Sequence, residues 1–548
     1  MTPGEDHVSR LVARTSSAHA APRPIPEGPG TVDAAVRIAA AQWPRREALV
    51  GRHARYNFAA LHARVEGATR FLASLGLAQG DRLAATAVND TELVVAFLAA
   101  MRLGLIWVGI GRALTMRERA EMLLDCGARV YLADAETLAK RAEAGDAPLP
   151  LTLGLIPGDP DCDWSRGLAL DWPAASYAPP DPLAPAAIAY TSGTTGSPKG
   201  AVHSQHNIVA LAAANRAFGR AGQWEPSLRR GVALPLTILN LMALGPVTAL
   251  VNGSACVCMD RIDALGIAEW VKAEGIQTFA GAPTTIHDLL TRPDIDQSKL
   301  ASLILPTAGG GHVTDDLRAL YRARFGVELG TGYGLTEAMA GVAETDPDGA
   351  SPAGSCGRAY PHIEIGIDRG DGVAAVSDEP GEIRVRAVRK GPWAHVYSPM
   401  LGYWERPEAT REALRDGWLY TGDIGALDGN GYLTIKDRRN DLIIRGGANI
   451  YPAEIERILA AEPGVRAGVV VGLADERLGE RVVAVIEADG TVAAAHLEQA
   501  LRARCSAGLA RYKHPEFYLF VDALPRNAMN KVIKARVKEL VAGQLAGD

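Results

Sequence analysis

The sequence has no surplus of positive charge. Its 57 lysines and arginines face 63 aspartates and glutamates, a formal charge of -6, so there is no cationic excess to hold a nucleic-acid backbone or an anionic membrane. Cysteine is sparse: six residues (Cys126, Cys162, Cys256, Cys258, Cys356, Cys505) in 548. A chain this long needs no disulfide staples, and a reducing cytoplasm is the expected compartment. The one close pair, Cys256 and Cys258, has the spacing of one strand face rather than a metal knuckle and reads as core. No long hydrophobic run is uninterrupted. The most apolar stretch, 93–111, approaches membrane-spanning length, but Arg102 sits at its centre and Gly104, Gly109 and Gly111 break it; a buried helix followed by a buried strand is expected. The first thirty residues carry Arg10, Arg14 and Arg23 without a continuous apolar core; they do not read as a secretory signal, and a loose leader is expected. There is no internal repeat.

What is present is a large apolar content, 48% of 548 residues, enough for two or more domains. From residue 31 to about 134, helical stretches such as 61–77 alternate with short apolar runs such as 130–133, the pattern of strands joined by crossover helices. A proline-rich passage, 157–185, follows, and the alternation resumes with strand ends expected at 231–235 and 278–283. Between 381 and 435 the texture becomes β-branched and aromatic, punctuated by the turn pairs Asp416-Gly417 and Asp428-Gly429. After the charged run 436–441, residues 452–459 have helical periodicity, and 465–473 and 482–487 read as strands. The fold class is therefore α/β: a large N-terminal domain of several subdomains with α/β sheets and a β-rich part, then a smaller α+β C-terminal domain.

The most informative segment is 190–200, Tyr-Thr-Ser-Gly-Thr-Thr-Gly-Ser-Pro-Lys-Gly. Gly193, Gly196 and Gly200 permit close backbone approach; backbone amides and the hydroxyls of Thr191, Ser192, Thr194 and Thr195 can surround phosphate oxygens while Lys199 supplies charge. The common NTPase pattern is absent, because Pro198 precedes the lysine and Gly200 follows it. Taken alone, the segment says that a polyphosphate binds.

This segment resembles the phosphate loop of the adenylate-forming superfamily, which includes acyl- and aryl-CoA synthetases, stand-alone adenylation domains and beetle luciferases. Five further motifs follow in that family's order, and the resemblance covers the chain from about residue 31 to 538. The run Gly330-Thr-Gly-Tyr-Gly-Leu-Thr-Glu337 resembles its second nucleotide motif. The resemblance implies a base stacked on Tyr333 between Gly332 and Gly334, a hydroxyl from Thr336 for the α-phosphate, and Glu337, with Thr191, as oxygen ligands for Mg2+. Residues 308–312, with Gly309, Gly310 and Gly311, stand where the family keeps its adenine-binding segment. Tyr420-Thr-Gly-Asp423 resembles the ribose motif, with Asp423 accepting from both ribose hydroxyls, and Arg438 matches an arginine directed at ribose and phosphate.

Two positions after that arginine the family has its domain hinge, which falls here on Asn440 and implies domains at 31–439 and 441–548, the second mobile. The stretch from Arg445 resembles the lining of a pantetheine tunnel, with Gly446 and Gly447 beside the thiol arm. Lys531 matches the adenylation lysine, although Asn530 stands where glycine is usual. The implied reaction has two steps. A carboxylate attacks the α-phosphate of ATP and releases pyrophosphate; after the small domain swings, the thiol of coenzyme A displaces AMP.

The acyl pocket is implied around Ile238 and Leu239, facing Gly309, Gly310 and Gly311. Thr237 and Ile238 stand where the family often has an aromatic or histidine pair, and no aspartate is placed for a substrate amine. A medium-chain, alicyclic or aromatic acid is expected. Two other readings stay open on these residues: transfer of the acyl group to a carrier protein, and a non-catalytic acyl or nucleotide sensor. The expected partners are a small carboxylic acid, ATP, Mg2+ and coenzyme A, with no nucleic acid and no membrane span, in a monomer or homodimer.

Overall fold

The apolar stretch at 93–111 folds as its composition predicts, into the helix Thr91–Leu103 and the strand Ile106–Gly109. Asp90 caps the helix by accepting from the amide of Glu92, and Gly104 ends it in the left-handed conformation, φ 68°. Every residue of this helix is buried. Arg102, only 1% exposed, is tolerated because Asp33 and Glu66 meet it at 2.6 and 2.9 Å.

This computed structural model describes residues 22–26, 28–145, 147–174, 177–191, 198–218, 227–309, 313, 315–346, 351–352, 354–370, 377–438, 441, 443–445, 448–475, 478–527 and 531–545. They form two compact units, one comprising the residues up to 191 with Pro198–Ile365 and Val385–Tyr420, the other Gly366–Arg384 and the residues from 421 onward. Among the described residues no helix is long and apolar enough to cross a membrane.

The first unit is built on two sheets. In the seven-stranded sheet the order is Gly402–Tyr403, Lys199–Ser204, Pro185–Thr191, Ile106–Gly109, Arg82–Thr86, Val130–Ala133, Leu151–Gly154. Its last five strands pair in parallel, while Lys199–Ser204 is antiparallel to both neighbours. The six-stranded sheet runs Thr307–Ala308, Thr278–Gly281, Arg229–Val232, Ala255–Cys258, Glu47–Val50, Arg55–Asn57. Cys256 and Cys258 are fully buried in it. Parallel pairing buries both faces, which is why these strands are short apolar runs rather than alternating ones. The helix Gln205–Phe218 follows directly on Lys199–Ser204, and its Ile208, Leu211 and Ala212 join the same core as Leu93 to Leu103.

A five-stranded β-rich sheet holds Ile363–Asp368, Gly381–Ala387, Trp418–Leu427, Leu414–Arg415 and Leu433–Arg438. The Asp416-Gly417 pair turns one of its hairpins with φ of 54° and 73°, the two positive values that a type I′ turn requires.

In the second unit Val465–Asp475 and Gly479–Ala488 are antiparallel, and Phe517–Val521 joins the latter in parallel. Alternation decides which helix covers which face. Val470, Val482, Ala484 and Ile486 pack with Ile455 and Leu459 of Pro452–Ala460 and with Leu497 and Leu501 of Ala494–Gly508. Val469, Val471, Val483 and Val485 face the other way and pack with Val537 and Val541 of Lys534–Leu545.

Candidate active site

The two ends of the segment 190–200 lie on paired antiparallel core strands. Tyr190 pairs with Gly200 and Thr191 with Lys199, and the Thr191 hydroxyl donates to the Lys199 carbonyl at 3.3 Å. Below these strands, the phenol of Tyr190 donates to Asp125 at 2.6 Å, and the other oxygen of Asp125 accepts from Arg406 at 2.7 Å. Burial, with Cys126 and Asp125 adding to it, pushes the Tyr190 phenol well above its usual range, so it stays a donor. Ser192, Gly193, Thr194, Thr195 and Gly196 lie outside the described residues.

One strand, Lys199–Ser204, ties this segment to the second nucleotide motif. His203, buried on it, meets the Thr336 carbonyl through Nε2 at 2.8 Å, while its Nδ1 lies 3.3 Å from the amide nitrogen of Asn207. Burial lowers the imidazole to about 4. It is therefore neutral near pH 7, and the network places its proton on Nε2. The strand's outer neighbour, Gly402–Tyr403, brings a phenol to Glu337: Tyr403 donates to Oε1 at 2.8 Å, and the Met400 amide donates to the Glu337 carbonyl at 2.8 Å. Lys199 Nζ lies 5.5 Å from the centre of the same Tyr403 ring. Thr191, Lys199, Thr336 and Glu337 are thus brought together around a single strand.

The motif itself is a tight hairpin. Gly332–Leu335 runs antiparallel to Ala340–Glu344, and a methyl group on Gly334 would overlap the carbonyl oxygen of Ala340. That approach explains the glycine better than turn freedom does. Thr336, Glu337 and Ala338 form one 3-10 turn, after which Met339 (φ 56°) and Ala340 (φ 73°) are both left-handed. Such strain in non-glycine residues clusters at functional sites. Tyr333 is half-buried in this hairpin. The Ala308 amide reaches the Gly330 carbonyl at 3.4 Å, which sets Ala308 beside the motif. Among the described residues, a side chain on Gly309 would meet no atom within 4 Å. Gly310 and Gly311 are outside the described residues.

Ile238 is part-exposed and extended ahead of the short helix Leu239–Met242, whose Leu239 and Met242 are core residues. Two features that sequence reasoning missed hold the approach to it. Asn89 accepts from the Leu236 amide at 2.7 Å and donates to the Leu234 carbonyl at 2.9 Å, and a side chain on Gly109 would overlap the Thr237 carbonyl.

In the second unit Asp423 is 7% exposed and opposite Arg438 in strand register. Gly422 (φ 74°) and the Thr421 hydroxyl, which accepts from the Asp423 amide at 3.1 Å, shape the turn before it. Lys531 is exposed and closes a loop on Asn527: its amide donates to the Asn527 side chain at 3.0 Å, and the Asn527 amide donates to its carbonyl at 2.8 Å. The side chain of Arg438, and Asn440, Gly446, Gly447 and Asn530, are outside the described residues. Tyr403, His203 and Asp125 carried no signal in one sequence, because each acts across 65 residues or more.

Residues 36–404 match the model of the AMP-binding enzyme family and residues 454–531 that of the AMP-binding enzyme C-terminal domain. The chain is 33% identical over 508 residues to long-chain-fatty-acid–CoA ligase FadD13 of Mycobacterium tuberculosis, covering 90% of this chain and 95% of that protein. It is 35% identical over 496 residues to indoleacetate–CoA ligase of Aromatoleum aromaticum, covering 89% and 93%. The o-succinylbenzoate CoA synthetase of Bacillus subtilis, solved with its acyl-adenylate intermediate, superposes with a TM-score of 0.78 at 28% identity, covering 92% of this chain and 97% of that one. With both family domains matched in order, the chain belongs to the AMP-binding enzymes of the adenylate-forming superfamily and is an ATP-using acyl- or aryl-CoA ligase.

Proposed function

We propose that this ligase activates a medium-chain, alicyclic or aromatic carboxylic acid in two steps. In the first, a carboxylate oxygen of the acid attacks the α-phosphorus of ATP, the bond to the bridging oxygen breaks, and pyrophosphate leaves. In the second, the thiol of coenzyme A attacks the acyl carbon and AMP leaves. Both steps join or separate anions, so positioning and charge matter more than a general base.

The observation that carries this reading is the sharing of Tyr403 by Glu337 and Lys199: a carboxylate at 2.8 Å from its hydroxyl and an ammonium at 5.5 Å from its ring centre. The carboxylate of Glu337 and the hydroxyl of Thr191 are hard oxygen donors and fit Mg2+. When bound, that ion neutralises phosphate charge. Lys199 and the hydroxyls of Ser192, Thr194 and Thr195 receive the departing pyrophosphate, with Gly193 and Gly196 allowing close approach. Thr336 donates to the α-phosphate, Tyr333 faces the base between Gly332 and Gly334, and Gly309 and Gly310 border it. Asp423 and Arg438 take the ribose, and Lys531 supplies positive charge to the adenylation step.

For the second step we assign Gly446 and Gly447 to the pantetheine arm and Asn440 to the hinge. Ile238, Leu239 and Gly311 border the acyl group. The two relatives named above, one a long-chain-fatty-acid ligase and the other an indoleacetate ligase, support an apolar skeleton without choosing between chain and ring.

The test is pyrophosphate release from a panel of acids, with and without coenzyme A. Acyl-CoA formation from ring or medium-chain acids is the expected result. Adenylation with no thioester product on adding coenzyme A would favour a carrier-protein acceptor instead.

A further inference from the structure

The strand Lys199–Ser204 has a neighbour on each side, and both neighbours are tied to one carboxylate. Pro185–Thr191 leads into the segment 190–200, and Gly402–Tyr403 carries the phenol that holds Glu337. Asp125 is the last residue of the helix Met116–Asp125. Its Oδ2 accepts from the Tyr190 phenol at 2.6 Å, and its Oδ1 accepts from Arg406, just past Tyr403, at 2.7 Å. Its backbone carbonyl accepts from the Trp404 indole at 3.1 Å. These donors lie 65 to 281 residues away in sequence. All of these residues belong to the first unit.

The contacts close a ring around Gly200. Tyr190 pairs with Gly200 across the strands, and the Trp404 amide donates to the Gly200 carbonyl at 2.7 Å. A methyl on Gly200 would come 2.5 Å from the Ile188 side chain, 3.4 Å from the Tyr190 ring and 3.5 Å from the Trp404 side chain, so the ring is filled. Lys199 is the adjoining residue, and its Nζ lies 5.5 Å from the centre of the Tyr403 ring. The helix end that bears Asp125 is itself fixed. Arg82, on the strand Arg82–Thr86, donates to the Cys126 carbonyl at 2.8 Å and to the Gly127 carbonyl at 2.7 Å. Its guanidinium lies 5.8 Å from the centre of the Trp404 ring. The side chains of Asp125 and Arg406 are 25% and 41% exposed. An ion pair this open does little for folding.

We propose that Asp125 is a positioning residue for ATP binding: it holds the strands on either side of Lys199–Ser204 at a fixed spacing, and so sets Lys199 and Thr191 against Tyr403 and Glu337. The assignment rests on the ligase reading above, in which those groups meet the phosphates and their metal ion. Asp125 acts through Tyr190 and Arg406 rather than on the nucleotide. Groups that grip a polyphosphate work only at the right separation, and a misplacement of about 1 Å can cost up to about a hundredfold. A carboxylate suits the task because its two oxygens accept from two donors on opposite flanks. An amide in its place offers one acceptor oxygen, and one flank is released. The second half-reaction uses no triphosphate, so it does not depend on this spacing.

The test uses the full-length enzyme and Asp125→Asn, which keeps the shape of the side chain. Two constants are read: the Kd for ATP, by calorimetry with Mg2+ and without acid, and the KM for ATP in pyrophosphate release. Both are expected to rise by about tenfold, the lower end of the cost of losing an outer partner of a ligating group. Thioester formation from supplied acyl-AMP keeps its rate, and the melting temperature changes little. Tyr190→Phe and Arg406→Met each cut one arm and raise the same constants by less; either one added to Asp125→Asn raises them little further. Equal slowing of both half-reactions with an unshifted Kd for ATP, as a purely structural role would give, overturns the proposal. So does full additivity in the double variants, which shows the arms acting independently of Asp125. If Asp125→Asn does not fold, the two single-arm variants decide by the same Kd. No pyrophosphate release by the unmodified enzyme with any acid overturns the ligase reading, whereas an unshifted Kd in an active variant overturns only the role of Asp125.

Discussion

The hydroxyl of Tyr403 donates a 2.8 Å hydrogen bond to Glu337 Oε1 across 66 residues of sequence. Burial, with Glu337 second, raises the phenol far above its usual range, so it cannot release the proton that orients the carboxylate. Tyr403→Phe keeps the ring near Lys199 and deletes only this bond. Residues that orient metal ligands typically contribute tenfold or more to metal affinity. The Mg2+ concentration for half-maximal pyrophosphate release should therefore rise by about tenfold, with the melting temperature little changed. An unaltered Mg2+ titration would contradict the role proposed for Glu337.

Lys531 stands exposed on a loop closed by Asn527. If its charge serves adenylation alone, Lys531→Ala should slow acyl-AMP formation by about 10²–10³. Thioester formation from supplied acyl-AMP should stay near its original rate. Equal slowing of both half-reactions would count against the assignment.

Gly334 has no room for a side chain, because the Ala340 carbonyl oxygen occupies the place. Gly334→Ala forces the hairpin open, at a cost of about 1–3 kcal/mol, and shifts Thr336 and Glu337 with it. Pyrophosphate release should fall at least tenfold while the second unit's unfolding transition stays where it was, which differential scanning calorimetry would resolve.

Arg102 is held by Asp33 and Glu66 inside the first unit. Asp33→Ala removes the better-buried partner and leaves a guanidinium with one carboxylate. Breaking a buried pair typically costs 3–5 kcal/mol, and the remaining Glu66 sets the expectation near the lower end, about 3 kcal/mol. Urea unfolding checks it; Arg102→Met, which removes the charge as well, should cost less.

His203 and His362 are buried bases lowered to about 4 and about 3. The folded protein resists protonating them, while the unfolded chain takes up protons near pH 6.5. Their contribution to stability is therefore complete above about pH 6.5 and is lost as pH falls toward 4. At pH 5 the two account for about two protons taken up on unfolding, or roughly 3 kcal/mol per pH unit. In His362→Phe that slope should drop by about half of this amount, measured by urea unfolding between pH 4.5 and 6.

Much of the fold could be read from residues alone, for local reasons. The strand Val130–Ala133 coincides with the apolar run at 130–133, and Pro452–Ala460 with the periodic stretch at 452–459. The Asp416-Gly417 turn follows from two residues that tolerate positive φ. The same locality made the family legible, since glycine, hydroxyl and lysine chemistry is packed into runs of eight to eleven residues. The site's supports were not legible. Asp125, His203 and Tyr403 act on Tyr190, Thr336 and Glu337 through single hydrogen bonds between distant segments. Likewise, the sequence suggested an apolar acyl pocket from Ile238 and Leu239, and nothing in the sequence around His362 or Tyr397 points to their buried polar atoms.

What the sequence determined by itself is the α/β class and the kind of reaction, because those properties reside in residue type and near spacing. Only the tertiary structure decided that Glu337 and Lys199 share Tyr403, that Gly334 is required by a backbone oxygen, and that His362 and Tyr397 are buried with polar atoms that have no partner among the described residues. The first of these depends on the register of Lys199–Ser204 against Gly402–Tyr403, since a shift of one residue would turn Lys199 or Tyr403 to the opposite face.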